Sequence, residues 1–300
     1  MYYNIARGRI ATGCELCLLG AKSVIFITGV CPLNCFYCPV GRDRFGRDVI
    51  FVNDVPVADI RQIPEVVAQF ASDGAAITGG DPAVVAERVR EVSELLKESF
   101  GENFHIHMYT HILNLDGRRV GVIASSRVDE VRIHVTSKAQ LEGRVKYVKA
   151  LAAAGKDVGV EVPALPGLEK QIAEAINALA PYIKFVNINE LDVSESNVER
   201  LREAGYRVEG LNVPGSLQAA LKIAEMVKDV PVHICRGKTK DLVQIGARLF
   251  RLAMTTAKPG EYVQDDGTVI YDEEGHHPRS AKARNIRVKI NTGPRELEVV

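Results

Sequence analysis

Three cysteines stand close together in Cys31-Pro32-Leu33-Asn34-Cys35-Phe36-Tyr37-Cys38, a C-x3-C-x2-C spacing. Three thiolates on so short a loop can grip one metal cluster, because iron–sulfur clusters are held by cysteine thiolates. A cubane has four irons, so this loop would leave one iron without a protein ligand, open to a substrate or cofactor. A structural zinc knuckle is the other reading, and there a fourth ligand closes the site. Zinc accounts for the cysteines but not for their place directly after a predicted strand, where parallel α/β barrels carry their chemistry.

Two further pairs have metal-binding character. Cys14-Glu15-Leu16-Cys17 is a C-x2-C pair, and His233-Ile234-Cys235 is an H-x-C pair whose outer members share one strand face. Together they would make a Cys3His set suited to zinc, mononuclear iron or an auxiliary iron–sulfur cluster. The objection is geometric. Cys17 precedes its strand and Cys235 ends another, so the link to Ser23, at most ~20 Å extended, would have to run along an open side of the barrel. A shared site is the favoured expectation, since suitable ligands in two tight pairs rarely coincide by chance. Otherwise Cys235 is a small buried hydrophobe and His233 a core residue. His105, His107 and His111 read as surface or core histidines, and His276-His277 as loop.

The elements that must position these groups alternate β-rich runs with helical patterns. Residues 23–29, 75–79, 104–110, 130–135, 157–163 and 184–191 read as buried parallel strands. Between them, Val85, Val89, Val92 and Leu96 mark one helix face. Ser137 reads as the N-cap of a helix ending near Gly155, and 63–73, 168–180 and 195–204 supply further helices. Right-handed βαβ units follow. The fold class is α/β, a partial (β/α)6 TIM-like barrel of parallel strands, with residues 1–21 as an N-terminal metal-pair segment, 22–204 as the core and 205–300 as a C-terminal helical and β-hairpin extension. That extension holds an extended run at 206–213, a helix at 216–228, a strand at 231–235, a helix at 239–256 and a hairpin at 261–271 around Asp266-Gly267.

A second motif, Thr78-Gly79-Gly80-Asp81-Pro82, follows the second predicted strand. Asp81 suits an N-cap and Pro82 a first helical position. With the cysteines, it resembles the radical S-adenosylmethionine (SAM) superfamily over about residues 22–190, with Tyr37 as the aromatic of C-x3-C-x-aromatic-C and Asp81 where the family's GGEP-like motif has glutamate. The resemblance implies a [4Fe–4S] cluster on Cys31, Cys35 and Cys38, and SAM chelating the open iron. One electron then cleaves SAM to a 5′-deoxyadenosyl radical that abstracts a substrate hydrogen atom. It further implies Tyr37 near the adenine and the Gly79-Gly80 backbone near the SAM amino group, which Asp81, one methylene short, reaches less readily. Thr110, His134, Glu161 and Asn189 are candidates at later strand ends, with Asn187 on the face of Asn189. A narrower similarity, carried by Cys14/Cys17, FITGVCPLNCFYCPVG and VHICRGKTKD, is to an archaeal-type group related to pyruvate formate-lyase activating enzymes.

Composition bounds the rest. The chain is 46% hydrophobic with 38 basic and 38 acidic residues, enough for a large core and against a charge-driven nucleic-acid binder. Arg279, Lys282, Arg284, Arg287 and Lys289 read as a solvated basic strand. The first residues lack a signal-peptide core and no membrane-length apolar run exists, so a cytoplasmic location with reduced thiols is expected. The expected partners are SAM, a low-potential electron donor and a substrate, a protein or peptide first. The alternatives are an RNA or small molecule, or a non-enzymatic iron–sulfur or zinc electron carrier. An exposed open-site cluster would make the protein oxygen-sensitive.

Overall fold

The computed structural model describes residues 4–264, 267–271 and 298–299. Asp266 of the expected hairpin turn, the His276-His277 pair and the basic tail positions lie outside the described residues. In order come β1 (Ile5–Arg7), α1 (Thr12–Leu18), β2 (Lys22–Phe26), β3 (Ile50–Val52), β4 (Val55–Val57), α2 (Ile63–Gln69), β5 (Gly74–Thr78), α3 (Ala86–Phe100), β6 (His105–His111) and α4 (Gly117–Ser125). Next are β7 (Glu130–His134), α5 (Val145–Ala153), β8 (Asp157–Pro163), α6 (Glu169–Leu179), β9 (Phe185–Asn189), α7 (Val198–Glu203), α8 (Ser216–Met226) and β10 (Val232–Cys235). A short α9 (Gly237–Thr239), a π-helical turn over Lys240–Gln244 and α10 (Ile245–Thr256) follow, then β11 (Glu261–Val263), β12 (Val269–Tyr271) and β13 (Glu298–Val299).

One eleven-stranded sheet runs β13-β1-β10-β9-β8-β7-β6-β5-β2-β3-β4. Seven neighbours in it, from β10 to β2, are parallel. Among the described residues the order has two free ends, so the barrel is partial, as expected. Beyond the six expected units, β10 continues the parallel set in register, Val232 beside Val186 and Cys235 beside Asn189. β1 pairs antiparallel with β10, and α10 packs back toward α2, where Arg251 donates to the Ala71 carbonyl at 2.6 Å.

Strand alternation separates two cores. Val131, Ile133, Val158, Val160, Val186, Ile188, Val232 and Ile234 are buried in the continuous apolar cluster under the helices, with Val89, Val92 and Leu96 of α3. Their neighbours in sequence, including Glu130, Arg132, Asn187 and His233, are also buried but form the polar lining of the barrel. Ser137 caps a single 3-10 turn (Lys138–Leu141) in a capping box, and α5 starts only afterwards. Residues 206–213 hold only an isolated bridge, Glu209 to Asn212.

α1 explains how the N-terminal cysteines reach the interior. It does not run along the open side; it enters the barrel through the strand N-termini. Gly13 makes this entry fit: a Cβ there would overlap His107, and would lie 2.6 Å from Arg132 Nη2 and 2.9 Å from Glu130 Oε1. Its N–H donates to Glu130 Oε2 at 3.3 Å. Overpacking a filled interior costs about 1–3 kcal/mol. Gly13→Val is expected to lower the melting temperature by several degrees, read by thermal unfolding, and an unchanged melt would show that α1 does not seat there.

Candidate functional site

The three motif cysteines lie in the long connection after β2, and that loop is tied down on several sides. Thr28 Oγ1 donates to Asp48 Oδ1 (2.8 Å), and Arg88 grips the same carboxylate at 2.6 and 2.8 Å. Arg88 and Thr28 hold Asp48 at about pH 2, below the usual carboxylate range. From α7 and its approach, Asn197 donates to the Tyr37 carbonyl (3.0 Å) and Arg200 to the Asn34 carbonyl (2.9 Å). All three motif thiols are free.

The Gly79-Gly80 turn sits directly against the residues that precede Cys31. Gly80 N–H donates to the Thr28 carbonyl at 2.7 Å, and Asp81 N–H to the Val30 carbonyl at 3.0 Å. Gly79 has φ 151°, and a Cβ on Gly80 would lie 2.5 Å from both the Gly29 and Val30 carbonyl oxygens. Glycine is therefore required twice, for the close approach of two backbones.

Asp81 is the expected N-cap, and its carboxylate takes further donors as well. Its carboxylate accepts from Ala83 N–H (2.9 Å), Thr110 Oγ1 (2.8 Å), His111 N–H (2.8 Å) and Asn114 Nδ2 (2.6 Å). A carboxylate offers about four acceptor positions, and four donors occupy them. Burial pushes its pKa up despite these bonds. Asp81 and Thr110 thus clamp β5 to the end of β6, and a direct contact of the Asp81 carboxylate with a SAM amino group is not supported.

Tyr37 and His134 form the opposite wall. His134 Nδ1 lies 3.1 Å from the Glu161 carbonyl, so it carries the proton, and Nε2 accepts from the Tyr37 hydroxyl at 2.8 Å. Burial lowers the His134 pKa to about 4, which keeps the ring neutral. Beneath it, Arg132 joins Glu130 and Glu161 at 2.6 Å each. Glu161 also accepts from Asn189 Nδ2 at 2.8 Å. Burial opposes the Glu161 charge, but Arg132 and Asn189 hold its pKa below the ordinary value.

All three cysteines, and all eight residues expected around the cofactor, line one cavity of about 570 Å³ at the strand C-termini. It also takes in Cys17, Tyr109, Arg132, Lys240, Gln244 and Arg248, of which only Cys17 was singled out from the sequence. The missed signal is the 240/244/248 spacing, one helix face. Among the described residues, no three His, Cys, Asp or Glu side chains close around a single ion position. A cubane distributes its thiolates over separate irons and does not require them to meet at one ion position.

The expected Cys3His site is not formed. Cys14 lies against Arg132 Nη2 (3.3 Å) and Asn187 Oδ1 (3.9 Å), while Cys235 faces Gln244 Nε2 at 3.7 Å. Both ring nitrogens of His233 are buried without a partner. Burial pushes the Cys14 thiol up strongly and Cys235 to about 11. The entry of α1 brings the pairs into one barrel but gives each its own surroundings.

The sequence pattern of the Radical SAM superfamily matches residues 25–208. The chain belongs to that superfamily, whose members use SAM and a [4Fe–4S] cluster, and it is an enzyme of SAM-dependent radical chemistry. It is related to activating enzymes: MJ0021 of Methanocaldococcus jannaschii, named provisionally as a glycyl-radical enzyme activating enzyme, is 33% identical over 273 residues, 87% of this chain and 72% of that protein. Methylornithine synthase (PylB) superposes with a TM-score of 0.49 at 12% identity, over 80% of this chain and 77% of that one. Streptococcus suis SuiB gives 0.45 at 15% identity over 62% of this chain, which spans 45% of SuiB. No helix of the described residues is long and apolar enough to cross a membrane.

At the barrel floor, Lys22 Nζ approaches His107 Nδ1 (2.5 Å) and His105 Nδ1 (3.2 Å), and His107 Nε2 meets the Tyr109 hydroxyl at 2.9 Å. The ammonium donates, so both rings accept and are neutral, even though Glu130 lies 3.5 Å from His105 Nε2. Burial, then Lys22, lowers the His105 pKa from the ordinary 6.5 to about 3. Below pH 6.5 the unfolded chain binds a proton there that the folded chain refuses. Stability is therefore complete above pH 6.5 and declines toward pH 3. From pH 6.5 to 5 this one group accounts for about 2 kcal/mol. His105→Gln is expected to flatten the fall in urea midpoint over that window, and an equal fall in both proteins would place the acid sensitivity elsewhere.

Proposed function

We propose that Cys31, Cys35 and Cys38 hold the [4Fe–4S] cluster and that SAM lies beside it, against the Gly79-Gly80 turn and the Tyr37–His134 wall. The observation that carries this reading is the shared cavity: three unpaired thiols, a glycine turn with no room for a Cβ and a neutral aromatic wall meet there. When bound, such a cluster supplies the single electron that splits SAM into methionine and a 5′-deoxyadenosyl radical, which takes a hydrogen atom from the substrate.

The chain's own residues position and protect. Asp48, Arg88, Asn197 and Arg200 fix the cysteine loop. Asp81, held by four donors, fixes the strand end beneath the glycine turn. His134 remains neutral and keeps the Tyr37 hydroxyl engaged, so neither offers a mobile proton to the site. Glu161 and Asn189 brace each other at the next strand ends and present their remaining polar atoms to SAM or substrate. A protein or peptide substrate is supported by the name of the Methanocaldococcus jannaschii relative, and the electron would come from a low-potential donor.

Anaerobic reconstitution followed by iron and sulfide analysis and a SAM-cleavage assay tests the reading. Cys31→Ala, Cys35→Ala and Cys38→Ala are each expected to reduce 5′-deoxyadenosine formation at least a hundredfold and to lose most cluster iron. Cys14→Ala is expected to retain the iron. Gly80→Ala should keep the cluster but weaken SAM binding at least tenfold. Full cleavage by the Cys35 variant, or a redox centre in the wild type that ignores SAM, would overturn it in favour of an electron carrier. Loss of the cluster in air is expected from an open iron position.

A further inference from the structure

The cavity has a second end, away from the cysteines, where α10 and the π-helical turn before it form the wall. Lys240, Gln244 and Arg248 all line it from one helix face. π-turns inside helices recur at functional sites, and here the turn spans Lys240–Gln244, the segment that begins this face.

The cationic side chains along the cavity are paired with one exception. Arg132 is paired with Glu130 and Glu161, and Lys240 with Asp192 at 2.8 Å. Arg236, just outside, lies 3.9 Å from Glu190. Arg248 has no ion pair or hydrogen bond among the described residues, and its Nε is buried without a partner. Its electrostatic neighbours are first the Cys17 thiol, then Asp54, which is bound to Arg44 at 2.9 Å. A largely desolvated guanidinium with no carboxylate paired to it is costly to keep, and it is matched best by a planar or tetrahedral group of anionic oxygens.

We infer that Arg248, flanked by Gln244 and Lys240, is the recognition point for an anionic oxygen group of the substrate, a carboxylate or a phosphate, at the end of the cavity away from the cluster. The inference rests on the radical SAM reading above and deepens it. The substrate is anchored by its acidic group at α10 while its reacting C–H bond faces SAM. Arg248 is then a specificity determinant, since an analogue lacking the acid leaves the guanidinium unpaired.

Malonate and inorganic phosphate serve as probes on the full chain, followed by thermal shift and isothermal titration. Saturable binding of one of them at millimolar concentration is expected. It should weaken at least tenfold in Arg248→Gln and be restored largely by Arg248→Lys, with a wild-type melt for each unliganded variant. Stronger binding of malonate assigns a carboxylate substrate, and stronger binding of phosphate a phosphorylated one. Equal binding by wild type and Arg248→Gln, or none by the wild type, overturns the assignment. Competition between malonate and SAM would also overturn it, by giving Arg248 to the SAM carboxylate. Cleavage of SAM by the wild type is scored separately, so failure of the radical reading and failure of the anion site are distinct results.

Discussion

The interior of this barrel is organised around Arg132. Its guanidinium reaches Glu130 below and Glu161 above, and Cys14 on α1 beside it. Burial works against its charge, but Cys14, Glu130 and Glu161 together keep it protonated well beyond the ordinary range. It also lies over the Tyr109 and Phe185 rings at 5.6 and 5.4 Å. A buried ion triad of this kind adds little net stability, yet losing one partner costs about 3–5 kcal/mol, so it enforces one arrangement. That arrangement sets where α1 stops and how Glu161 presents itself to Asn189.

Above that layer, side-chain charge gives way to backbone. The glycine turn and the residues before Cys31 are locked by two backbone hydrogen bonds, and no side chain fits between them. The cysteine end of the cavity is built mostly from neutral groups, the Tyr37–His134 pair and glycine backbone, beside one carboxylate already saturated by four donors. On the proposed reading, such a surface would hold a cationic sulfonium cofactor without titrating around it. Burial favours the neutral thiol at Cys31 and Cys35.

The parts of this design that were legible in the sequence are local ones. The cysteine spacing, the Gly79-Gly80 turn and the parallel strands are short-range signals, and each lies where expected. The chemistry of Asp81 was read half correctly: its N-cap bond to Ala83 is present, but the bonds from Thr110, His111 and Asn114 depend on β6 and its following turn, distant in sequence. The path of α1 was misjudged because nothing local says that Gly13 faces His107 and Glu130 across the barrel. The polar face of the strands is legible where it alternates, at Asn187 and Asn189 and at His233 and Cys235, but the Arg132–Glu161 ion pair in the interior joins residues on different strands. The seventh parallel strand was read as a strand, but its register beside β9 is a tertiary fact.

The two ends of the cavity thus obey different physical rules, and this divides labour in a way that suits radical chemistry. A reactive carbon radical must be generated away from groups that would quench or protonate its precursors, and the cysteine end supplies neutral, hydrogen-bonded walls. Substrate choice needs strong directional forces, and on the inference above the Lys240–Gln244–Arg248 face would supply them. The Arg132–Glu161–Asn189 chain in the cavity wall is held by an ion pair of 2.6 Å and a hydrogen bond of 2.8 Å, which restrains it. On the proposed reading, a restrained wall would fix the distance between the point where a substrate is held and the point where its hydrogen is removed. Position along the substrate, rather than bond strength alone, would then select which C–H bond reacts.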